Sequence, residues 1–306
     1  MRIVFSGGTG FVGRYLLKEL ANSDETVVLT RSGHTQPETK EADADRATYV
    51  VIDYSVESLS RHLVRADAVV HLAARRHEPS LLMRDYVSNI EVSANLWEAC
   101  RITGIKNIVS VSTIAVYGQA EPLPWRESYA CLPMTFYGVS RLAAERSAEI
   151  YNRKHGLRIK SLRCAQVTGV GTRSTRMLSE FLQRARSKST LLVYGKESGR
   201  RQYIYVRDVV RAIRYALARI DARGPFNIGM QGNWSHTELA ELFHRVFENK
   251  GNIEFLSGRT EDTSEYLMSI DRARSELGWE PRWGLIDALK GMRVILESES
   301  PPDAIR

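Results

Sequence analysis

The chain predicts an α/β fold in which a doubly wound parallel sheet carries a smaller, mainly C-terminal lobe. Three observations lead there. Short β-branched runs alternate with amphipathic stretches through the first half, a glycine-rich loop follows the first of those runs, and the regular pitch breaks down after residue 166. Strands are expected at 2–6, 26–30, 49–53, 68–72, 107–112 and 158–163, with helices at 10–21, 55–63, 87–103 and 140–155 between them. Alternation at this pitch calls for crossover helices on both faces of parallel strands. Residues 1–165 are read as the sheet domain, with 202–228 returning to it, and 166–201 together with 229–306 as the second lobe.

The bulk properties narrow the class. The 306 residues are 43% hydrophobic and 26% charged, enough to bury a core without disulfides or metals, so no metal site is expected. Cys100, Cys131 and Cys164 match neither a disulfide nor a metal framework, which suits a reducing compartment. Strand-like sequence begins at Arg2, and no run of about 18 apolar residues occurs; the expectation is a cytoplasmic chain with no membrane partner. Net charge is +7, with 43 basic against 36 acidic residues, yet no nucleic-acid motif accompanies it. Basic residues crowd one stretch: Arg173, Arg176, Arg184, Arg186, Lys188, Lys196, Arg200, Arg201, Arg207, Arg211, Arg214 and Arg219 face only Glu180, Glu197 and Asp208. A basic surface accounts for that stretch; so, in part, does a small diphosphate ligand gripped by guanidinium forks.

The loop Ser6-Gly7-Gly8-Thr9-Gly10-Phe11-Val12-Gly13 leaves the first strand and opens the first helix. Glycines there permit a tight turn and a close approach of backbone to pyrophosphate, beside the free N–H groups of a helix start. Gly7, Gly10, Phe11, Val12 and Gly13 are therefore candidate dinucleotide contacts, and the sheet is expected to be of Rossmann type. At the end of the second strand, where an acid would bind the ribose of NAD, the chain reads Thr30-Arg31. Arg31, assisted by Arg14, suits a 2′-phosphate and favours NADP over NAD; the alternative is that Arg31 caps the strand or stacks on adenine.

Further segments resemble the extended short-chain dehydrogenase/reductase family, of the NAD-dependent epimerase/dehydratase type, over nearly the whole chain. They are Asp53-Tyr54, His71-Leu72-Ala73-Ala74, Asn89 through Leu96, Ser110 through Gly118, Tyr137-Gly138-Val139-Ser140-Arg141, Arg163 through Gly169, Arg201 through Asp208, Phe226-Asn227-Ile228-Gly229, Arg259, and Asp271 through Leu277-Gly278-Trp279-Glu280-Pro281. The resemblance implies that Asp53, Tyr54, Leu72, Ala73, Ala74, Asn89, Tyr137 and Arg141 border the cofactor. It also implies that Thr113, Tyr137 and Arg141 are catalytic, and that Thr113, Gln166, Arg201 and Arg259 hold a nucleotide-sugar substrate in a substrate-binding lobe. Two positions depart from the family: Arg141 stands for its lysine and Gln166 for its asparagine. Arg75 and Arg76 fall near the expected sugar pocket and are read as surface residues.

Hydride can leave or join a sugar carbon only as the attached oxygen loses or gains its proton. Tyr137 is the candidate acid/base, with Thr113 on the same oxygen; a free tyrosine titrates near pH ~10 and needs a fixed positive charge nearby. Arginine at 141 retains that charge but cannot release a proton. Ile114 and Ala115 follow Thr113 where dehydratases of the family carry an acidic pair, so dehydration is not expected. A nucleotide-sugar 4-epimerase is the favoured reading. An NADPH-dependent reductase of a 4-keto-6-deoxy nucleotide sugar is the alternative, and a non-catalytic sensor is the reading that the departures at 141 and 166 motivate. The family resemblance further implies a homodimer through 87–103 and 140–155, and a setting in cell-surface polysaccharide synthesis.

Overall fold

A computed structural model describes residues 1–20, 24–31, 47–76, 82–119, 121–172, 177–194, 199–249, 251–256 and 263–298. The first half runs β1 (Arg2–Ser6), α1 (Phe11–Leu20), β2 (Glu25–Thr30), β3 (Thr48–Val51), α2 (Val56–Leu63), β4 (Ala68–His71), α3 (Arg84–Thr103), β5 (Asn107–Thr113), α4 (Phe136–His155) and β6 (Arg158–Cys164). The second half contributes β7 (Gln166–Thr168), α5 (Met177–Arg186), β8 (Leu191–Tyr194), β9 (Tyr203–Tyr205), α6 (Val206–Ala218), β10 (Gly224–Ile228), α7 (His236–Val246), β11 (Ile253–Leu256) and α8 (Leu285–Ser298).

Seven parallel strands form the main sheet in the order β10-β6-β5-β4-β1-β2-β3. The chain winds outward from β1 to β3, then restarts at β4 on the other side. The switch point therefore lies between β1 and β4, where sheets of this Rossmann type hold their ligands. Ser6 pairs with His71, His71 with Ser110, and Thr113 with Cys164, so the glycine loop, the segment after β4 and Thr113 all leave the same edge.

The period-2 alternation of the strands explains the two layers. Ile3, Phe5, Val28, Val70 and Val109 point to one face, where Leu16, Leu17 and Leu20 of α1 and the apolar stripe of α6 cover them. Val4, Val27, Leu29, Val69 and Ile108 point to the other, under Leu59, Leu96 and Trp97 of α2 and α3. The small sheets β8–β11 and β7–β9 belong to the second half.

Two boundaries differ from expectation by three residues or more. Helix α3 starts at Arg84 instead of 87, and α4 at Phe136 instead of 140. The Thr135 hydroxyl caps α4 by accepting from the Gly138 N–H at 3.0 Å, which draws Tyr137 into the first helical turn. Three prolines and several aromatics between 122 and 137 disguise that start as loop.

A buried histidine fastens the switch point. His71 Nδ1 lies 2.7 Å from Ser6 Oγ, and Nε2 lies 3.1 Å from Ser93 Oγ. Ser93 spends its proton on the Asn89 carbonyl at 2.7 Å, so Nε2 is the protonated nitrogen and Ser6 donates to Nδ1. Burial, reinforced by the Arg141 charge, pushes the His71 pKa down to about 3. The unfolded chain thus takes up a proton below pH ~6.5 that the native state refuses, and native stability falls by up to ~1.4 kcal/mol per pH unit as pH drops from there towards 3. We expect His71→Gln to be less stable than the parent at pH 7, and urea denaturation to show that gap narrowing between pH 6 and pH 4.

Candidate active site

Gly7 turns the chain out of β1 at φ +77°, and a Cβ there would sit 2.6 Å from the Ala73 nitrogen. Only glycine fits between the loop and the Leu72-Ala73-Ala74 segment. The Gly10 N–H closes the turn on the Gly7 carbonyl at 3.1 Å, Phe11 and Val12 begin α1, and Gly13 is buried beneath the loop. These residues make a backbone-lined cradle at a helix start, suited to a pyrophosphate. Arg14 belongs elsewhere: its guanidinium lies towards Gly171 in a groove outside this cradle.

At the ends of β2 and β3 the structure assembles Arg31, Asp53 and Tyr54. Arg31 is exposed, with its guanidinium 5.7 Å from the centre of the Tyr54 ring. Tyr54 is buried and donates its hydroxyl proton to the Leu29 carbonyl at 2.9 Å, so it braces the strand end. Asp53 accepts from the Ser55 N–H and hydroxyl at 2.9 and 2.8 Å, which holds its pKa below the usual carboxylate value.

Thr113 ends β5, and its hydroxyl accepts from the Ala115 N–H at 3.2 Å as a tight turn begins. Helix α4 reaches that turn through Gly138, where a Cβ would lie 2.2 Å from the Ala115 oxygen. This contact packs the first turn of α4, which carries Tyr137, against the turn that follows Thr113. Asn89, expected to face the cofactor, is instead consumed internally. Its amide group binds the Arg75 backbone at 2.6 and 2.9 Å and donates to Ser140 Oγ at 3.2 Å, while Ser140 donates to the Tyr137 carbonyl at 2.8 Å. It therefore ties the loop after β4 to the start of α4. Arg75 is exposed as expected; Arg76 is not a free surface residue, for its guanidinium lies 5.3 Å from the Tyr137 ring centre.

Arg141 is 1% exposed, and one arm of its guanidinium donates to the Val111 carbonyl. Its Nε and Nη1 are buried with no partner among the described residues. Two unmatched N–H groups cost about 1–3 kcal/mol each, so a ligand oxygen at this sheet edge would relieve them. Together with the Gly7 cradle, they fit a dinucleotide lying across the switch point.

The substrate candidates divide. Gln166 opens β7, half-buried, with its N–H donating to the Gln202 carbonyl at 3.1 Å. Arg201 lies 4.4 Å over the Tyr266 ring and donates to the Ser264 carbonyl at 2.5 Å; Tyr266 packs edge-on against Trp125, which stacks on Tyr117. Arg259 lies outside the described residues, as do Arg173, Arg176 and Lys196. The rest of the basic run scatters. Arg184 pairs with Glu180, Arg200 with Glu238, and Lys188 binds the Phe247 carbonyl, while Arg207, Arg211, Arg214 and Arg219 line a groove together with Arg14 and Lys18 of α1.

Behind the site, a network absent from the sequence reading braces β5, β6 and α4. Arg163 and Glu145 form a buried ion pair at 2.7 Å, Ser112 donates to Glu145 at 2.5 Å, and Tyr117 joins Arg163 to Asn227. Arg163, Ser112, Tyr117 and Asn227 all stand in the segments that carry the family resemblance, whereas Glu145 stands in none of them.

A parallel sheet with a glycine cradle at its switch point places the chain in the Rossmann class of dinucleotide-dependent proteins. The chain belongs to the NAD dependent epimerase/dehydratase family, whose sequence pattern matches residues 3–229. A UDP-N-acetylglucosamine 4-epimerase from Bacillus cereus superposes with a TM-score of 0.87 at 30% identity, over 98% of each chain. The low-salt glycan biosynthesis protein Agl12 of Haloferax volcanii is 29% identical over 303 residues, 95% of this chain and 96% of that one. A dTDP-glucose 4,6-dehydratase from Actinoplanes is 27% identical over 308 residues, 94% and 95% of the two chains. Among the described residues no helix is long and apolar enough to cross a membrane.

The closeness of Gly138 to Ala115 gives a direct check. Gly138→Ala is expected to destabilise the protein by about 1–3 kcal/mol in urea denaturation, because the helix start must back away from a rigid turn. Dinucleotide affinity, set largely at the glycine loop, should change much less.

Proposed function

We propose that this enzyme inverts the C4 hydroxyl of a nucleotide sugar, with Tyr137 as the acid/base. The observation that supports the reading is the approach of the first turn of α4, which carries Tyr137, to the turn that follows Thr113. In this reading Tyr137 takes the proton of the sugar hydroxyl and later returns it, while Thr113 holds the same oxygen by a hydrogen bond. Bound NAD supplies the hydride acceptor and donor. The residues that would hold it are the 7–13 loop, the 72–74 segment and the free donors of Arg141. Residues 166–201 and 229–306 are assigned to the sugar nucleotide, with Arg201, Gln166 and Arg259 on its phosphates.

Dehydration finds no support at the site, since Ile114 and Ala115 follow Thr113 and offer no acid or base. The curated dehydratase relative makes this exclusion worth testing by product analysis. A second reading, a reductase that takes NADPH, draws on Arg31, exposed at the end of β2. For assembly, Val87 and Ile102 on α3 and Val139 and Ile150 on α4 are exposed apolar residues, which supports pairing of two copies through these helices in a cytoplasmic homodimer.

The deciding experiment supplies UDP- and dTDP-sugars with the purified enzyme and follows products by NMR. An epimerase converts substrate to its C4 epimer with no net cofactor turnover, and Tyr137→Phe should cut the rate about 10²–10⁴-fold. Stoichiometric consumption of NADPH would establish the reductase, a 4-keto-6-deoxy product the dehydratase, and ligand binding without turnover the sensor. If Arg31 meets a 2′-phosphate, Arg31→Ala should weaken NADPH binding about tenfold and leave NADH unchanged, because one charged contact is worth ~1.5 kcal/mol or more.

A further inference from the structure

The basic run that the substrate site does not absorb has a place of its own. Arg207, Arg211, Arg214 and Arg219 fall on one stripe of α6 and just past its end, spaced to share a face. That face meets α1, where Arg14 and Lys18 point into the same groove, and Arg282 joins from the segment before α8. The groove encloses about 1120 Å³. The glycine loop, the 72–74 segment, Thr113, Tyr137 and Arg141 do not line it, so it is separate from the proposed active site.

Its charge is one-sided. Seven cations line the described wall against one carboxylate, Glu19, which Arg214 already engages at 2.7 Å. Asp208, beneath, is spent on Arg211 at 2.7 Å and on the Arg282 and Trp283 N–H groups at 2.9 and 3.1 Å. The side chains of Arg14, Arg207 and Arg282 pair with no carboxylate among the described residues. So many like charges around one hollow repel one another, and a compact polyanion relieves that repulsion.

The wall also carries aromatic faces. The Arg211 guanidinium lies 5.7 Å from the Tyr215 ring and 5.9 Å from that of Trp283, and Arg282 lies 5.4 Å from Trp283. Guanidinium planes set against rings have less freedom to lose on gripping phosphate, and the exposed Tyr215 offers a face to a base. A concave hollow of this volume suits a small molecule, whereas a membrane or a nucleic-acid duplex needs an open face.

We propose that the groove between α1 and α6 is a second ligand site, which takes a small molecule bearing two or more linked phosphates. A nucleotide and an inorganic oligophosphate share that chemistry. The loop 169–171 borders both sites, Gly169 against Phe11 at the start of α1 and Gly171 against Arg14.

The test is calorimetric titration of NAD-loaded enzyme with sodium tripolyphosphate and, separately, with ATP. One tripolyphosphate should bind per chain. In the double variant R207Q/R282Q, which alters exposed side chains, affinity should fall about tenfold or more, as expected for two lost charged contacts. Arg201→Gln, which alters the proposed substrate contact, should leave tripolyphosphate binding unchanged. The NAD affinity and melting temperature of R207Q/R282Q serve as its folding control. Tighter binding of ATP than of tripolyphosphate identifies a nucleotide as the ligand, and equal binding identifies the phosphate chain; either supports the site. No binding, binding that survives R207Q/R282Q, or binding lost on Arg201→Gln overturns it.

Discussion

The site depends on one chain of buried hydrogen bonds that crosses the switch point. It runs from Ser6 through His71 to Ser93 and the Asn89 carbonyl, then through the Asn89 amide to Arg75 and Ser140, and from Ser140 to the Tyr137 carbonyl. Each donor has an assigned acceptor, and none can be dropped without stranding a polar group out of water. The chain therefore fixes four elements, β1, β4, α3 and α4, against one another. The glycine loop hangs from one end of it and Tyr137 from the other. Parallel strands alone could set the sheet edge, but they could not set the distance from that edge to a helix that begins some 23 residues later in the sequence.

The sheet was legible because its signals are local: alternating β-branched runs, a glycine turn and helical stretches each point to the same topology. The six expected strands all lie in the main sheet, and β10 completes it beside β6. Side-chain direction was much less legible. Asn89 stands in a motif, and nothing in its neighbours in sequence reveals that its amide is used on Arg75 and Ser140. Arg76 looks like a surface cation until the loop after β4 folds it over the Tyr137 ring. The arginine run reads as one electrostatic feature, yet Arg201 stacks on Tyr266 while Arg207, on α6, lines a separate groove. Charges adjacent in sequence share a ligand only when the element carrying them presents one face.

The Arg163–Glu145 pair shows a second way in which structure outruns pattern. Both members are buried, and taking two charges out of water costs several kcal/mol apiece before their attraction is counted. The pair is fully furnished, with Ser112 donating to the carboxylate and Tyr117 accepting from the guanidinium. Breaking one member would strand the other, so β5, β6 and α4 are held in a single relative position. Thr113 follows Ser112 directly and inherits that rigidity. Such positioning has to come from the surrounding network, because a hydroxyl at a strand end has no means of fixing itself.

Arg141 is the opposite case, a buried charge left incomplete. A lysine at this point would bring a single ammonium on a flexible stem. Arginine brings a planar fork, and one arm is already fixed on the Val111 carbonyl. That contact orients the remaining donors and removes the freedom that a flexible cation would lose on binding. The two unmatched N–H groups raise the energy of the ligand-free protein, and by linkage any oxygen that satisfies them binds more tightly by that amount. The gain comes from geometry, since the Val111 carbonyl holds the fork in place before any ligand arrives.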